Sequence, residues 1–174
     1  GWAADAVLAD VAGAFGAPIA AAASTTGYET ETCCEAGGLL AFKASGTDPD
    51  GLLSSWLDGT DPCGWTGVIC HADGDFAGTV RMVQRYSSAG LTGDLGPLAN
   101  LGFVQSLSLF STGVSGDVVA LSGLTHLETL HLGSTRVAGE IAALSGLTNL
   151  QWVHLGDTGV TGEIASLNGL TNLQ

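Results

Sequence analysis

LETLHLGSTRVAGEIAALSGLTN, residues 127–149, runs directly into LQWVHLGDTGVTGEIASLNGLTN, residues 150–172, and the two stretches are identical at 15 of 23 positions. The same spacing carried backward aligns VQSLSLFSTGVSGDVVALSGLTH (104–126) and RMVQRYSSAGLTGDLGPLANLGF (81–103), giving four units of 23 residues with no gap. A fixed period of this length marks a solenoid in which each unit is one turn of a coil. Each unit opens on spaced apolar residues, Leu127, Leu130 and Leu132 or Leu150, Val153 and Leu155, as in a strand with one face inward and one outward. Val114, Val137 and Val160 add an inward position after the turn. Leu121, Leu144 and Leu167, with Leu124, Leu147 and Leu170 three residues on, supply the opposite wall. One unit cannot bury these side chains, but stacked units bury them continuously. The recurring Gly93, Gly116, Gly139 and Gly162 mark a turn that resists a Cβ, a periodic backbone demand that contributes to a glycine count of 27.

The outward positions of the strands follow from the same alignment. They form the columns Met82, Gln105, Glu128, Gln151; Val83, Ser106, Thr129, Trp152; Arg85, Ser108, His131, His154; and Ser87, Phe110, Gly133, Gly156. Trp152 beside His131 and His154, with Phe110 nearby and Glu128 and Arg85 at the margin, is the most binding-like group, because aromatic anchors carry a large share of interface energy. The alternative is that these are ordinary exposed strand residues. His131 and His154 lie on neighbouring strands, roughly 5 Å apart by sheet spacing. A metal there would need Glu128 or Asp157 as a third ligand, so no metal and no cofactor is expected. Asp94, Asp117, Glu140 and Glu163 form a second column, a carboxylate ladder open to a basic partner or calcium but more simply a solvated structural feature.

The pattern LxxLxLxxTxVxGxI resembles the plant-type leucine-rich repeat, LxxLxLxxNxLxGxIP. The usual Asn column reads Ala89, Thr112, Thr135 and Thr158, so hydroxyls replace the buried amide ladder and still bond turn backbone. The proline is missing and the unit is one residue short. CCEAGGLLAFKASGTDPDGLLSSWLDGTDPCGWTGVIC, residues 33–70, resembles the N-terminal cap of plant extracellular leucine-rich-repeat proteins, which include receptor-like kinases, receptor-like proteins and polygalacturonase inhibitors. The fold implied is an α/β solenoid, a right-handed leucine-rich-repeat coil with a parallel β-sheet on its concave face and a helical, disulfide-stapled cap. The domains expected are an Ala-rich extension (1–32), a cap (33–80) and four repeats (81–174). Within the cap, Leu39, Leu40 and Phe42 predict one short helix and Leu52, Leu53 and Trp56 a second, separated by the turn-forming TDPDG. Trp65, Val68 and Ile69 are expected to cover the open edge of the first repeat.

In caps of this type a pair such as Cys63 and Cys70 forms a disulfide, so the resemblance implies one here and, with it, an oxidising compartment. Cys33 and Cys34 are adjacent, and a vicinal bridge is strained. Free thiols, or bridges to another chain or elsewhere in the cap, remain open. A zinc site of all four cysteines lacks paired C-x-x-C knuckles. The resemblance implies an extracellular or secretory-lumenal location. No Asn begins an N-x-S/T sequon, which keeps an organelle lumen such as the thylakoid open.

The 174 residues are 45% hydrophobic and 12% charged, with a net charge of -13. That charge repels phosphate backbones and anionic lipid, which excludes nucleic acid and acidic membranes as partners and favours a basic one. Residues 1–32 place Val7, Leu8, Val11 and Phe15 at helical spacing before Pro18, as in a short amphipathic helix or a retained targeting segment. Asp5 and Asp10 argue against a membrane span. There is no G-x-S-x-G, H-E-x-x-H or phosphate-cradling loop, so no enzyme is expected. The last apolar edge lacks a cap, so the natural protein is expected to continue. Two functions follow: a recognition module binding a protein, peptide or glycan on the concave face, or a structural subunit docked in a larger complex by its extension and open end. Binding to ice or a crystalline polysaccharide is disfavoured because the Thr column points inward.

Overall fold

The computed structural model describes residues 29–174. The Ala-rich extension up to residue 28, and the side chains of Cys33 and Cys34, lie outside the described residues. Helix α1 (Glu29–Ala44) and strand β1 (Val68–Cys70) form the cap. The coils follow with strands β2 (Val80–Gln84), β3 (Ser106–Ser108), β5 (Thr129–His131) and β7 (Trp152–His154) on one side. On the other side lie β4 (Ser115–Asp117), β6 (Arg136–Glu140) and β8 (Gly159–Thr161). The first set runs in the order β1-β2-β3-β5-β7, with β1 antiparallel to β2 and the rest parallel. The second is a parallel β4-β6-β8 sheet. Short 3-10 turns such as Val118–Leu121 and Ile141–Leu144 close each coil.

Successive side chains of a strand point to opposite faces, so β3 and β5 each bury only their middle residue. Leu107 and Leu130 are fully buried at those places, and Leu109, Leu132, Val114, Val137, Leu121, Leu144, Leu124 and Leu147 complete one continuous core. The hydroxyls of Thr112, Thr135 and Thr158 each donate to the carbonyl three residues back, Leu109, Leu132 and Leu155, at 2.6 Å. These bonds satisfy a turn carbonyl inside the coil, the task the family gives to an amide.

The first coil departs from the 23-residue register. Met82, Val83 and Gln84 pair with Ser106, Leu107 and Ser108, and Ser88 bridges Thr112, a spacing of 24. Left-handed backbone recurs at Ser87 (φ 61°), Ser111 (56°), Ser134 (56°) and Asp157 (57°), which fixes the same offset. The extra residue is absorbed at Ala89 and Gly90, after which Leu91 and Gly93 return to the common spacing. Ser88, not Ala89, therefore occupies the hydroxyl column. Its Oγ donates to Asp50 Oδ2 at 2.6 Å, tying the coil to the cap.

The second cap helix does not form. Residues 52–55 make turns with i to i+3 bonds, Ser54 N to Gly51 O and Trp56 N to Leu53 O. The Asp48 carboxylate accepts from Leu52 N at 2.8 Å and Leu53 N at 2.7 Å, and Gly51 sits at φ 67°, so the local chemistry favours a tight turn over a helix. Leu53 and Trp56 are nonetheless buried. Trp65 and Val68 cover the first coil as expected, but Ile69 is 43% exposed, because the alternation that buries Val68 turns its neighbour outward. The Cys63 and Cys70 sulfurs are bonded. Helix α1 is tied to strand β2 by Glu35 Oε2, which accepts from Val80 N at 2.7 Å, and lies close to Pro97 at Gly38, where a Cβ would strike the Pro97 carbonyl.

Candidate functional site: an aromatic row on the concave sheet

With the first coil in its true register, the outward columns become Met82, Ser106, Thr129, Trp152; Gln84, Ser108, His131, His154; and Tyr86, Phe110, Gly133, Gly156. Gly133 decides the local geometry. A Cβ there would collide with the His154 ring, so that ring lies across the strand before it. His154 thereby meets His131 edge-on with centroids 4.7 Å apart and approaches Phe110 at 5.9 Å. Phe110 and His131 stack at 4.9 Å. Trp152 stands 56% exposed beside them, and Tyr86 61% exposed at the far end of the same face. Between Trp152 and the two imidazoles lies a shallow cavity of about 290 Å³, lined along the two strands by Thr129, Leu130 and Val153.

Of the residues singled out from sequence, Phe110, His131, His154 and Trp152 are brought together. Glu128 is half-buried, and its Oε2 accepts from Gln151 Nε2 at 3.2 Å. Arg85 is not on this face. The offset places it at the inward position filled by Leu109 and Leu132, 8% exposed, with its guanidinium 5.6 Å from the Trp56 ring centroid. Tyr86 was missed for the same reason, although Tyr86-Ser87-Ser88 set against Phe110-Ser111-Thr112 would have revealed the slip. A second cluster on the flank was also missed. His71, Phe76, Phe103 and His126 gather there, with Phe76 and Phe103 at 4.5 Å, and only the 23-residue spacing of Phe103 and His126 hinted at it.

Burial first, and His154 second, hold the His131 imidazole below its ordinary pKa. The unfolded chain therefore takes up this proton at a higher pH than the folded one. Its contribution to stability is full above the ordinary value of about 6.5 and is lost as pH falls from there toward the folded value. Thermal unfolding from about pH 7.5 to about pH 5 should show a falling midpoint, with a smaller fall in His131→Asn. An equal fall in both proteins refutes the assignment.

Among the described residues, no group of three or more His, Cys, Asp and Glu is placed to hold an ion. The acidic ladder is engaged in the fold. Asp94 Oδ1 accepts from Gly96 N at 2.7 Å, Asp117 Oδ1 from Val119 N at 2.9 Å and Glu140 Oε1 from Thr161 Oγ1 at 3.1 Å. Among the described residues, no helix is long and apolar enough to cross a membrane.

The family model of the leucine rich repeat N-terminal domain matches residues 35–71. No curated protein sequence matches. Among solved structures, a chain of the BIR3–SERK2 complex from Arabidopsis thaliana superposes with a TM-score of 0.68 at 28% identity, over 79% of this chain and 76% of that one. The ectodomain of the receptor kinase SOBIR1 from Arabidopsis thaliana gives 0.65 at 22% identity, over 81% and 76%, a likeness of fold. The ectodomain of the receptor kinase GASSHO1/SCHENGEN3 from Arabidopsis thaliana, in complex with CASPARIAN STRIP INTEGRITY FACTOR 2, gives 0.54 at 27% identity, over 83% of this chain and 20% of that one.

Proposed function

The chain is a plant-type leucine-rich-repeat protein, and from that premise we propose that it is an extracellular, non-catalytic recognition module that binds a peptide or protein on its concave sheet. The observation that carries this reading is the row of Tyr86, Phe110, His131 and His154 with Trp152 standing out beside it. A Trp exposed beside other aromatic rings is the kind of anchor that carries a large share of binding energy once a partner covers it. Two of the similar structures are complexes, one with a second protein and one with CASPARIAN STRIP INTEGRITY FACTOR 2, which supports the same class of ligand here. With a net charge of -13, a neutral or basic segment suits the surface better than an acidic one.

Panning a displayed peptide library on the immobilised protein tests this. Recovered peptides should bind Trp152→Ala at least tenfold more weakly than the wild type, a loss of about 1.4 kcal/mol or more. Val119→Ala, which trims an exposed residue on the opposite turn, should bind unchanged. Equal affinity for Trp152→Ala, or an equal loss in Val119→Ala, overturns the concave face as the site.

A further inference from the structure

Arg85 breaks the rule of the coil. At a position where the next two coils bury Leu109 and Leu132, it places a guanidinium that must be taken out of water. One nitrogen, Nη1, donates to the Gln84 carbonyl at 3.1 Å. The other two, Nε and Nη2, are buried and have no hydrogen-bond partner among the described residues. The Trp56 ring covers one face of the group, which attracts the charge without using these donors. The neighbouring carboxylate is Asp48, whose charge is felt by Arg85 but whose two oxygens are taken by the amides of Leu52 and Leu53.

The surroundings are shaped to this group. Gly67, at φ 75°, is the one residue type that fits there, since a Cβ would collide with Nη1. Beside the guanidinium is a cavity of about 310 Å³ lined by Leu52, Gly67, Gln84, Arg85 and Tyr86. Tyr86 is largely exposed, so the cavity opens at the end of the concave face. Nε–H and Nη2–H are the parallel donors along one edge of a guanidinium, and their spacing matches the two oxygens of a carboxylate.

We propose that the cavity between the cap and the first coil is a carboxylate-binding site, in which the Nε and Nη2 edge of Arg85 takes both oxygens of the ligand beside Tyr86. Both atoms are buried in this structure, so the ligand engages them as the side chain turns toward the cavity. Of the four Lys and Arg side chains in the sequence, Arg85 is the one buried in the core, so an anion entering an otherwise acidic molecule has this single anchor. The site shares Tyr86 with the aromatic row but does not depend on a peptide binding there.

The test follows the Arg85 Nε–H resonance in the full-length 15N-labelled protein, assigned with the help of Arg81→Lys and Arg136→Lys. Sodium acetate should move that resonance saturably, while sodium chloride at the same ionic strength should not. Arg85→Leu, which installs the residue the other coils carry at this position, should bind acetate at least tenfold more weakly by calorimetry. N-acetyl-glycyl-leucine compared with its C-terminal amide, and N-acetyl-aspartate amide, separate a chain-terminal carboxylate from an acidic side chain as the source. A saturable shift with either source supports the site. No saturable shift with acetate, the same shift with chloride, or undiminished binding by Arg85→Leu overturns it.

Discussion

Trp56→Ala should lower the stability of the protein by about 3–5 kcal/mol, the range expected when a fully buried indole is removed from a packed core. Trp56 is 1% exposed, stacks on Trp65 with ring centroids 5.7 Å apart and tilts against Phe42 at 6.3 Å. It therefore joins helix α1, the disulfide-closed loop and the first coil in one contact set. Its removal leaves three defects in addition to the void. The Thr66 carbonyl loses the Nε1 donor at 3.1 Å, Phe42 and Trp65 lose their common neighbour, and the face of the buried Arg85 guanidinium is uncovered. Lys43 Nζ, which donates to the Trp56 carbonyl at 2.7 Å, can keep its bond because that acceptor is backbone. Trp56→Phe keeps most of the ring contact and gives up one hydrogen bond, so it should recover all but about 1–2 kcal/mol. Urea unfolding followed by circular dichroism measures both. A loss below about 1 kcal/mol in the alanine variant would mean that the cap does not fold as one unit with the coils.

Much of the solenoid is legible because its signal is redundant. Each coil repeats the same inward aliphatic positions, so Leu107, Leu130 and Val153 identify one another as strand centres, and the hydroxyls of Thr112, Thr135 and Thr158 can be placed inside before any coordinates are seen. The first coil is where the reading slips. Leu91 and Gly93 keep the common spacing and so anchor an alignment that is one residue out for the strand before them. Arg85 removes the Leu that would have exposed the error. A slip of one residue exchanges inside for outside, so the 23-residue alignment sets Arg85 on the surface and turns Tyr86 inward. The cap is less legible for a different reason. Its turns are decided by single contacts, such as Asp48 with two amides, and these have no period to betray them. The fold of His154 across Gly133 belongs to the same class. Sequence shows that the two residues sit on neighbouring strands, but the ring's direction depends on a missing Cβ next door.

Leu130→Ala should cost about 4 kcal/mol, near the upper part of the range for a buried Leu. Leu130 is fully buried in the middle of β5, paired in register with Leu107 on one side and Val153 on the other. In a solenoid a coil touches only its neighbours, so nothing from a distant part of the chain can move in to fill the gap. The two neighbours are held by parallel strand bonds and cannot collapse without breaking them. Val153→Ala, at the same column one coil later, removes fewer atoms from a partly buried place and should cost about 1 kcal/mol. Denaturant midpoints for the two variants give the comparison, and similar losses would contradict the inward stacking of this column. The difference also bears on the concave face. Thr129 and His131 point outward because Leu130 points inward, and both line the cavity beside Trp152. A residue that holds the middle of the solenoid together is thus also the one that sets the direction of the imidazole beside it.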